Sequence, residues 1–247
     1  MLKNMLESKK LFIFDMDGTL IESLGIWSEA DQVFLKNVAG VSIDASKIGY
    51  IRDKFISECG NGDPYLAWVD YIKTEYNIDA TLEELADYRK RICFDLIGAR
   101  LTLKPYAKEL LSLLKENGYK LCLSSSGAKS SIDRILYKID ATSFLGEDIF
   151  DLILSSSSVK KLKPSPEIHE LALRHFGVEK NEAVIIEDSS VGLASAKQAN
   201  IDAIIVKEVL NKDYETLKEE ADYYIDSLEY LYKIMLEITK KSPKLGK

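Results

Sequence analysis

The stretch LFIFD, residues 11–15, and the turn DGT that follows it at 17–19 decide the fold. Four consecutive apolar residues bounded by polar ones have the length and composition of a short buried strand. The strand ends at Asp15, and a second carboxylate, Asp17, follows two residues later. We therefore expect a strand that delivers two acidic side chains to its carboxyl end.

Downstream of Pro105 the sequence alternates between amphipathic helices and short apolar strands. Strands are predicted at KLCLSS (120–125), FDLILSS (150–156), AVIIED (183–188) and AIIV (203–206). Strands that alternate with helices in this way form a parallel sheet covered on both faces. The expected fold class is therefore α/β, a doubly wound, Rossmann-like parallel sheet that the strand 11–15 joins.

The end of the chain predicts a short edge strand and a closing helix within residues 221–238. Residues 240–247, KKSPKLGK, are rich in charge and follow the last apolar pattern, so we expect a flexible tail there.

The region between the first strand and Pro105 has a different pattern. Apolar residues recur three and four apart in four segments, 27–38, 44–58, 64–76 and 81–97. This period predicts helices. The sequence NGDP at 61–64 interrupts them, and Thr81 with Glu84 predicts a capping box at the start of the last one. We expect an all-helical domain at 21–103, inserted into a core domain made of 1–20 and 104–247.

Charge and hydropathy exclude several classes of protein. The chain has 247 residues and a formal net charge of −7, a poor match to nucleic acid or to an anionic membrane. The longest apolar run, 11–14, is far shorter than the roughly 20 residues of a membrane helix, and the first ten residues lack the apolar segment of a signal peptide. We expect a cytoplasmic protein with neither nucleic acid nor membrane as a partner.

Cysteine and histidine give no catalytic or metal-binding pattern. Cys59, Cys93 and Cys122 are widely spaced within apolar or helical patterns, as expected of reduced core thiols rather than of a disulfide or metal site. His169 and His175 share one helical pattern with charged neighbours, and we expect both on its solvated face. Neither a zinc-type site nor a Ser-His relay is easily built from them.

Polar residues stand where the predicted strands stop. In a doubly wound sheet, ligands bind beyond the carboxyl ends of the strands. The candidates at that edge are Asp15, Asp17, Ser125, Ser126, Lys163, Glu187 and Asp188. We expect four chain segments to converge there.

The four carboxylates among these candidates imply a cation. Two carboxylates about 4 Å apart repel by roughly 4 kcal/mol at an effective dielectric constant of 20, so the four cannot all stay ionised together without a cation. Oxygen ligands without cysteine or histidine favour Mg²⁺ over zinc or copper. Mg²⁺ is therefore the expected cofactor, with positions left for water and a substrate phosphate.

Four ordered motifs in this sequence resemble those of the haloacid dehalogenase superfamily. They are DMDGT at 15–19, Ser125, Lys163 within KLKPSPEI, and EDSSVG at 187–192. The resemblance implies that Asp15 attacks a substrate phosphorus to give an aspartyl phosphate. It also implies that Asp17 protonates the leaving oxygen and later activates the water.

The same resemblance implies which residues bind metal and phosphate. The metal ligands would be Asp15, the main-chain carbonyl of Asp17 and Asp188, with Glu187 as a further ligand or directly behind the ligands. Ser125 and Lys163 would bind the transferring phosphoryl group, helped by main-chain N–H groups of a helix expected to begin near Ser126.

The helical insertion resembles the first-type cap of this superfamily, which closes over the site and selects the substrate. Trp27, Arg52 and Lys54 are candidates for substrate contact. The alternatives are a core position for the tryptophan ring and solvated surface for the two cations. The fourth motif is usually followed by Ala-Gly, whereas here Asn200 stands in the glycine position, and we expect it to adopt the left-handed helix end that asparagine tolerates.

The function implied is that of a Mg²⁺-dependent phosphatase, which hydrolyses small phosphate monoesters and has a small phosphorylated metabolite as its partner. Sugar phosphates are the default substrates. Asp17 favours P–O chemistry, because dehalogenases and phosphonate hydrolases of the superfamily replace the second aspartate. The sequence leaves the oligomeric state open.

Two alternative functions stay open. A β-phosphoglucomutase-like phosphotransferase shares the motifs, but such mutases carry a histidine twelve residues after the nucleophile, where this chain has Trp27. A non-catalytic domain that accepts or binds phosphate, such as a receiver-type regulatory domain, is more distant, since it would need neither Asp17 nor a helical cap.

Overall fold

The structure is a computed structural model that describes residues 1–58, 63–141, 149–210 and 214–241. Its strands are β1 (Leu11–Phe14), β2 (Lys120–Ser124), β3 (Leu152–Leu154), β4 (Ala183–Glu187), β5 (Asp202–Val206) and β6 (Tyr223–Ile225). They form one six-stranded sheet in the order β3-β2-β1-β4-β5-β6, and every neighbouring pair is parallel. The predicted doubly wound α/β fold is confirmed.

Eleven α-helices are found in the described residues. They are α1 (Leu2–Leu6), α2 (Leu24–Ala39), α3 (Ala45–Glu58), α4 (Pro64–Glu75), α5 (Leu82–Arg100), α6 (Ala107–Glu116), α7 (Lys129–Ala141), α8 (Glu167–Phe176), α9 (Ser190–Ala199), α10 (Tyr214–Glu220) and α11 (Leu228–Lys241). The sequence patterns predicted all of them except α1 and α10, which are the two shortest.

The chain forms two compact units. The core unit comprises Met1–Glu22 and Thr102–Lys247, and the helical unit comprises Ser23–Leu101. The core unit contains the whole sheet, and the helical unit contains α2 to α5.

Strand β1 lies at the centre of the sheet because its four residues are apolar on both faces. All four, from Leu11 to Phe14, are fully buried, as a strand covered on both sides requires. Phe14 is level with Leu123 of β2 and with Ile186 of β4. The residues that follow these three strands therefore meet at one edge of the sheet.

One face of the sheet is covered by α8 and α9, whose apolar residues share a core cluster with β1, β4 and β5. Helix α6 packs on α11. Helix α9 ends at Asn200 with φ 53° and ψ 48°, so the predicted left-handed conformation is confirmed. Edge strand β6 and helix α11 also confirm the predicted strand and closing helix.

The helical unit is built around Trp68, Phe34, Leu35 and Ile72, all nearly inaccessible. The predicted capping box is present: Thr81 and Glu84 exchange hydrogen bonds at the start of α5. At the predicted break, Asp63 caps α4 through two main-chain N–H groups, while Asn61 and Gly62 lie outside the described residues.

Arg52 occupies neither of the positions that the sequence suggested. It is 6% exposed and donates to Asp31 at 2.8 Å, so it is neither solvated nor a free cation. Arg89 donates to the same carboxylate at 2.6 Å, and Trp68 Nε1 donates to it at 3.1 Å. Of the other two candidates, Lys54 is exposed and Trp27 is half-buried.

The histidine prediction was half wrong. His175 is exposed, but His169 is fully buried because α8 turns it towards the sheet instead of towards solvent. Cys93 and Cys122 are buried free thiols as predicted, whereas Cys59 lies outside the described residues. Residues 240 and 241 of the predicted tail belong to α11, and 242–247 lie outside the described residues.

A search of the described helices for a membrane-spanning segment found none of sufficient length and apolar character.

Candidate active site

Asp15 lies directly beyond the carboxyl end of β1, at the centre of the sheet edge. Its main-chain N–H donates to the carbonyl of Ile186 on β4 at 2.9 Å. This bond extends the pairing of β1 with β4 by one residue and fixes the position of the Asp15 main chain. The carboxylate receives a hydrogen bond from Lys163 Nζ at 2.7 Å. About one-eighth of the side chain is exposed, so one approach to the carboxylate stays open.

Lys163 is the cation of the site and is almost completely buried. Its ammonium group donates to Asp15, to Glu187 Oε1 at 3.0 Å and to the carbonyl of Ser124 at 3.0 Å. A lysine has three N–H donors, so all three are used. Burial opposes the charged form of Lys163, but Asp15 and Glu187 outweigh it and raise the pKa of this lysine.

Glu187 holds Lys163 in place from the opposite side. Its Oε2 accepts hydrogen bonds from the N–H groups of Asp188 at 2.7 Å and Ser189 at 2.8 Å, and from Ser189 Oγ at 2.9 Å. A carboxylate at the start of a helix such as α9 is stabilised by the unpaired N–H groups there. Both oxygens of Glu187 are therefore engaged, which favours a place behind the metal ligands over one among them.

The loop after Asp15 is shaped by a close approach to Asp188. Gly18 has φ +84°, and a Cβ built on it would lie 2.3 Å from Asp188 Oδ2, so both the backbone angle and the space require glycine. Thr19 Oγ1 donates to Asp188 Oδ1 at 2.8 Å. The loop of the first motif and the start of the fourth are thereby locked together. Asp17 lies in this loop and is half-buried.

Two carboxylates of the site have too little positive charge around them to offset the effect of burial on their pKa. Burial raises the pKa of Asp15 to about 7 despite the opposing effect of Lys163. Burial, together with the charges of Glu187 and Asp15, raises the pKa of Asp188 well above its usual range. Both groups need a further cation to stay ionised near neutral pH.

The donor set fits a hard cation that keeps several of its own waters. Within residues 1–58, 63–141, 149–210 and 214–241, no three side chains of His, Cys, Asp or Glu form a metal-ligand group. Of the two positions expected for Glu187, its contacts with Lys163 and with the N–H groups of Asp188 and Ser189 favour the one directly behind the metal ligands. Asp15 and Asp188 with a main-chain carbonyl offer few protein oxygens, which suits Mg²⁺ better than Ca²⁺.

The serine-rich segment after β2 lies beside these residues. Ser125 is buried, its N–H donates to the carbonyl of Leu154, and its Oγ accepts from the N–H of Gly127 at 3.0 Å. Ser126 is half-buried. The helix expected near Ser126 begins only at Lys129, because the Ser125 side chain closes a turn there instead of capping α7.

Three supporting groups were not predicted as site residues. Thr19 anchors Asp188, Ser189 binds Glu187, and the carbonyl of Ser124 accepts from Lys163. The first two lie inside the quoted motifs, so a test for hydroxyl groups within two residues of the acidic positions could have found them. The run Ser155–Ser158 now also has a structural role, since Ser156 N–H donates to the carbonyl of Gly127 and supports the loop after β2.

Comparison with known proteins agrees with the motif order. Residues 12–206 match the family described as haloacid dehalogenase-like hydrolase, which is most of the chain. The chain belongs to this family. The membership predicted from the four motifs is thus confirmed.

Among curated relatives of this haloacid dehalogenase-like hydrolase is hexitol phosphatase B of Escherichia coli, 26% identical over 194 residues, which cover 78% of this chain and 82% of the relative. Protein SUPPRESSOR OF QUENCHING 1 of Arabidopsis thaliana, a chloroplastic protein, is 29% identical over 204 residues. That match covers 81% of this chain but spans only 18% of the relative. A solved structure of a putative β-phosphoglucomutase from Thermotoga maritima superimposes with a TM-score of 0.69 at 22% identity, covering 95% of this chain and 100% of the other. This last likeness supports the fold alone.

Proposed function

We propose that the chain is a Mg²⁺-dependent phosphatase that hydrolyses small phosphate monoesters, most simply sugar phosphates, through a phosphorylated Asp15. The observation that carries the proposal is the contact between the partly open Asp15 carboxylate and a fully engaged, buried Lys163 at the carboxyl edge of the sheet. A nucleophile held beside a fixed cation is positioned for an anionic, phosphorus-centred substrate.

The first half of the reaction transfers the phosphoryl group to the chain. An oxygen of Asp15 forms a bond to phosphorus while the ester P–O bond breaks, and Asp17 gives its proton to the departing alkoxide. Lys163 places positive charge beside the phosphoryl oxygens, and Ser125 is placed to bind the same group. The second half reverses these roles, because Asp17 takes a proton from a water that attacks the aspartyl phosphate and releases inorganic phosphate.

Asp15, the main-chain carbonyl of Asp17 and Asp188 would hold Mg²⁺, which supplies the positive charge that the raised pKa values of Asp15 and Asp188 indicate is needed. Glu187 acts one step away by holding Lys163. Ser126 would support the phosphate-binding site through its position in the turn that precedes α7. The helical unit would act as the cap that selects the substrate.

The substrate class rests on the relatives and on the charge of the chain. Hexitol phosphatase B is named for a polyol phosphate, and a net charge of −7 disfavours polyanionic substrates such as nucleic acid. The test is phosphate release from a panel of hexose, pentose and polyol monophosphates with Mg²⁺ present, with D15N as the inactive control. Release that D15N retains would contradict the covalent route.

The principal competing function is a β-phosphoglucomutase-like phosphotransferase, because such mutases share the four motifs and the helical cap. Trp27 stands twelve residues after Asp15, and an indole ring cannot accept a proton. We therefore expect phosphate release to exceed interconversion of glucose 1-phosphate and glucose 6-phosphate, even with a bisphosphate primer. Isomerisation that is tenfold faster, about 1.4 kcal/mol in relative barrier, would establish the mutase instead. Phosphate binding without turnover of any ester would support the non-catalytic alternative.

A further inference from the structure

Lys163 comes from an irregular segment, unlike the groups that it contacts. Residues 159–166, named here the lysine loop, lie between β3 and α8. The partners of the Lys163 ammonium are the carbonyl of Ser124 at the end of β2, the carboxylate of Glu187 at the end of β4, and Asp15 directly after β1. A long lysine side chain loses rotamer entropy when it is fixed. Its placement therefore depends on how firmly the lysine loop is held.

Glu167, the first residue of α8, closes the lysine loop on itself. Its Oε1 accepts from the N–H of Lys160 at 2.9 Å, and its Oε2 accepts from the N–H of Lys161 at 3.0 Å. These two N–H groups precede Lys163 in the chain, and Glu167 follows it. The N–H of Lys160 lowers the pKa of Glu167, so the carboxyl is ionised near neutral pH. One carboxylate thus joins the two ends of the segment that contains Lys163.

Two further hydrogen bonds hold the middle of the lysine loop. The N–H of Ser165 donates to the carbonyl of Leu162 at 2.9 Å, which closes a turn with Lys163 at its second position. Ser195 on α9 is fully buried, and its Oγ donates to the carbonyl of Ser165 at 2.7 Å. Because α9 begins two residues after Asp188, this bond ties the lysine loop to the fourth motif.

The stability of α8 does not by itself explain the contacts of Glu167. An acidic residue in the first turn of a helix is favourable because of the unpaired N–H groups there. Glu170 lies in the same first turn and pairs with Arg174 of α8 at 3.9 Å. Glu167 instead directs one oxygen to each of two N–H groups of the lysine loop. Its geometry is that of a clamp on the loop.

We propose that Glu167 is a positioning residue for the proposed reaction, acting through Lys163, and that Ser195 is a second tether of the same loop. The inference rests on the proposed function, because it presupposes that Lys163 places positive charge beside the phosphoryl oxygens. By closing the lysine loop, Glu167 fixes the main chain of Lys163, so that the ammonium reaches its three partners together. A misplacement of about 1 Å at such a site costs about 10²-fold in rate.

The test compares E167A with E170A, using phosphate release from para-nitrophenyl phosphate, with the folded fraction measured by urea denaturation. Both changes remove an acidic residue from the first turn of α8, so E170A controls for the effect on the helix. E167A also releases the lysine loop, so kcat per folded molecule should fall about tenfold. The loss is partial because Ser195 still tethers the loop. E170A should keep the wild-type kcat, and equal kcat values in the two variants would overturn the proposal.

The K163M background separates an effect through the lysine from a general loosening of the site. If Glu167 acts through Lys163, adding E167A to K163M should lower kcat by less than about twofold, because the two changes then remove the same interaction. An undiminished tenfold loss in that background would overturn the proposal.

E167Q keeps the test decisive if K163M does not fold. It removes the charge but keeps one oxygen that accepts from one of the two loop N–H groups, so its kcat should lie between those of E167A and the wild type. An E167Q variant as impaired as E167A would contradict the clamp. A wild-type chain that turns over no phosphate ester would instead refute the proposed function, and the role of Glu167 with it.

Discussion

The core unit and the helical unit each bury a carboxylate among cations, and the two carboxylates respond in opposite ways. Asp15 faces one ammonium group, which it shares with Glu187, and its pKa rises to about 7. Asp31 is more deeply buried than Asp15, but the guanidinium groups of Arg89 and Arg52 outweigh the effect of burial and lower its pKa. Burial does not decide the direction of the shift, since the more deeply buried carboxylate has the lowered pKa.

The number of positive charges that contact each carboxylate decides the direction of its pKa shift. Asp31 has two guanidinium partners and a Trp68 N–H donor, so the helical cluster is complete as it stands. The cluster around Asp15 has more carboxylate than cation, so it gains free energy when a positive ion binds. Removing one partner from a charge-complete buried cluster destabilises the fold, whereas a charge-deficient cluster is prepared for a ligand.

The largest expected contrast is in activity. D15N removes the nucleophile, so kcat should fall by about 10⁶-fold, the order of loss that removal of a covalent nucleophile causes. The free energy of unfolding should fall little, because an amide relieves the burial cost of the carboxylate while Glu187 still pairs with Lys163. Phosphate release measures the loss of activity, and urea denaturation measures the change in the free energy of unfolding. If D15N kept more than a few per cent of the wild-type activity, the proposed role of Asp15 as the nucleophile would be contradicted.

The largest expected contrast in stability is D31N. This change leaves Arg89 without the carboxylate it pairs with and leaves Arg52 with only the exposed Asp53, and breaking a buried ion pair in this way costs about 3–5 kcal/mol. Urea denaturation measures the loss. D53N is the matched control, because Asp53 also pairs with Arg52 but its side chain is largely exposed, and surface pairs contribute little. Equal effects of D31N and D53N would show that the buried cluster does not stabilise the helical unit.

Mg²⁺ should stabilise the charge-deficient cluster and leave the complete one unaffected. A ligand at 100 times its dissociation constant raises the free energy of unfolding by about 2.7 kcal/mol. We expect such a rise in the wild-type chain, measured by urea denaturation with and without Mg²⁺, and its loss in D188N. D53N should keep it. A Mg²⁺ effect that survives in D188N would place the ion elsewhere.

The sequence predicted most of the fold and the identity of the main site residues, but not how their charges are divided. The apolar patterns locate all six strands. The strand ends point to Asp15 and Asp188, and the segment after the third strand points to Lys163. Repulsion among four carboxylates predicted a cation and left Glu187 as a ligand or as a residue directly behind the ligands; its contacts with Lys163 and with the N-terminus of α9 favour the second position. The orientation of the Glu187 and Asp188 carboxylates depends on their close packing against Gly192 and Gly18. Local sequence patterns do not predict these contacts between distant segments.

The position of Arg52 in the helical unit was misread for a similar reason. Arg52 has charged and polar neighbours in sequence, so its helical pattern suggested a surface position or a substrate contact. Its partner Asp31 lies 21 residues earlier on another helix, and a pairing at that separation leaves no signature in spacing. His169 was misread because the helical pattern of α8 does not say how far its buried face extends.

His169 represents a third response to burial, in which the group stays neutral instead of being paired. It is fully buried, and burial, reinforced by the charge of Lys163, lowers its pKa well below the usual 6.5. Neither ring nitrogen has a hydrogen-bond partner in the described residues. The unfolded chain takes up a proton as the pH falls through 6.5 and the folded chain does not, so stability must decrease in that direction.

The smallest expected effect follows from that difference. Above pH 6.5 both states are neutral and His169 adds no pH dependence, whereas between pH 7.5 and 5.5 it should remove about 1.4 kcal/mol from the free energy of unfolding. H169L should lose that component of the pH dependence, measured by urea denaturation at the two pH values. H175L is the control, because His175 is exposed on the same helix and its replacement should leave the wild-type slope. If H169L keeps the full pH dependence of the free energy of unfolding, His169 is not its source. The imidazole would then take up its proton in the folded chain as well, despite its burial and the nearby charge of Lys163.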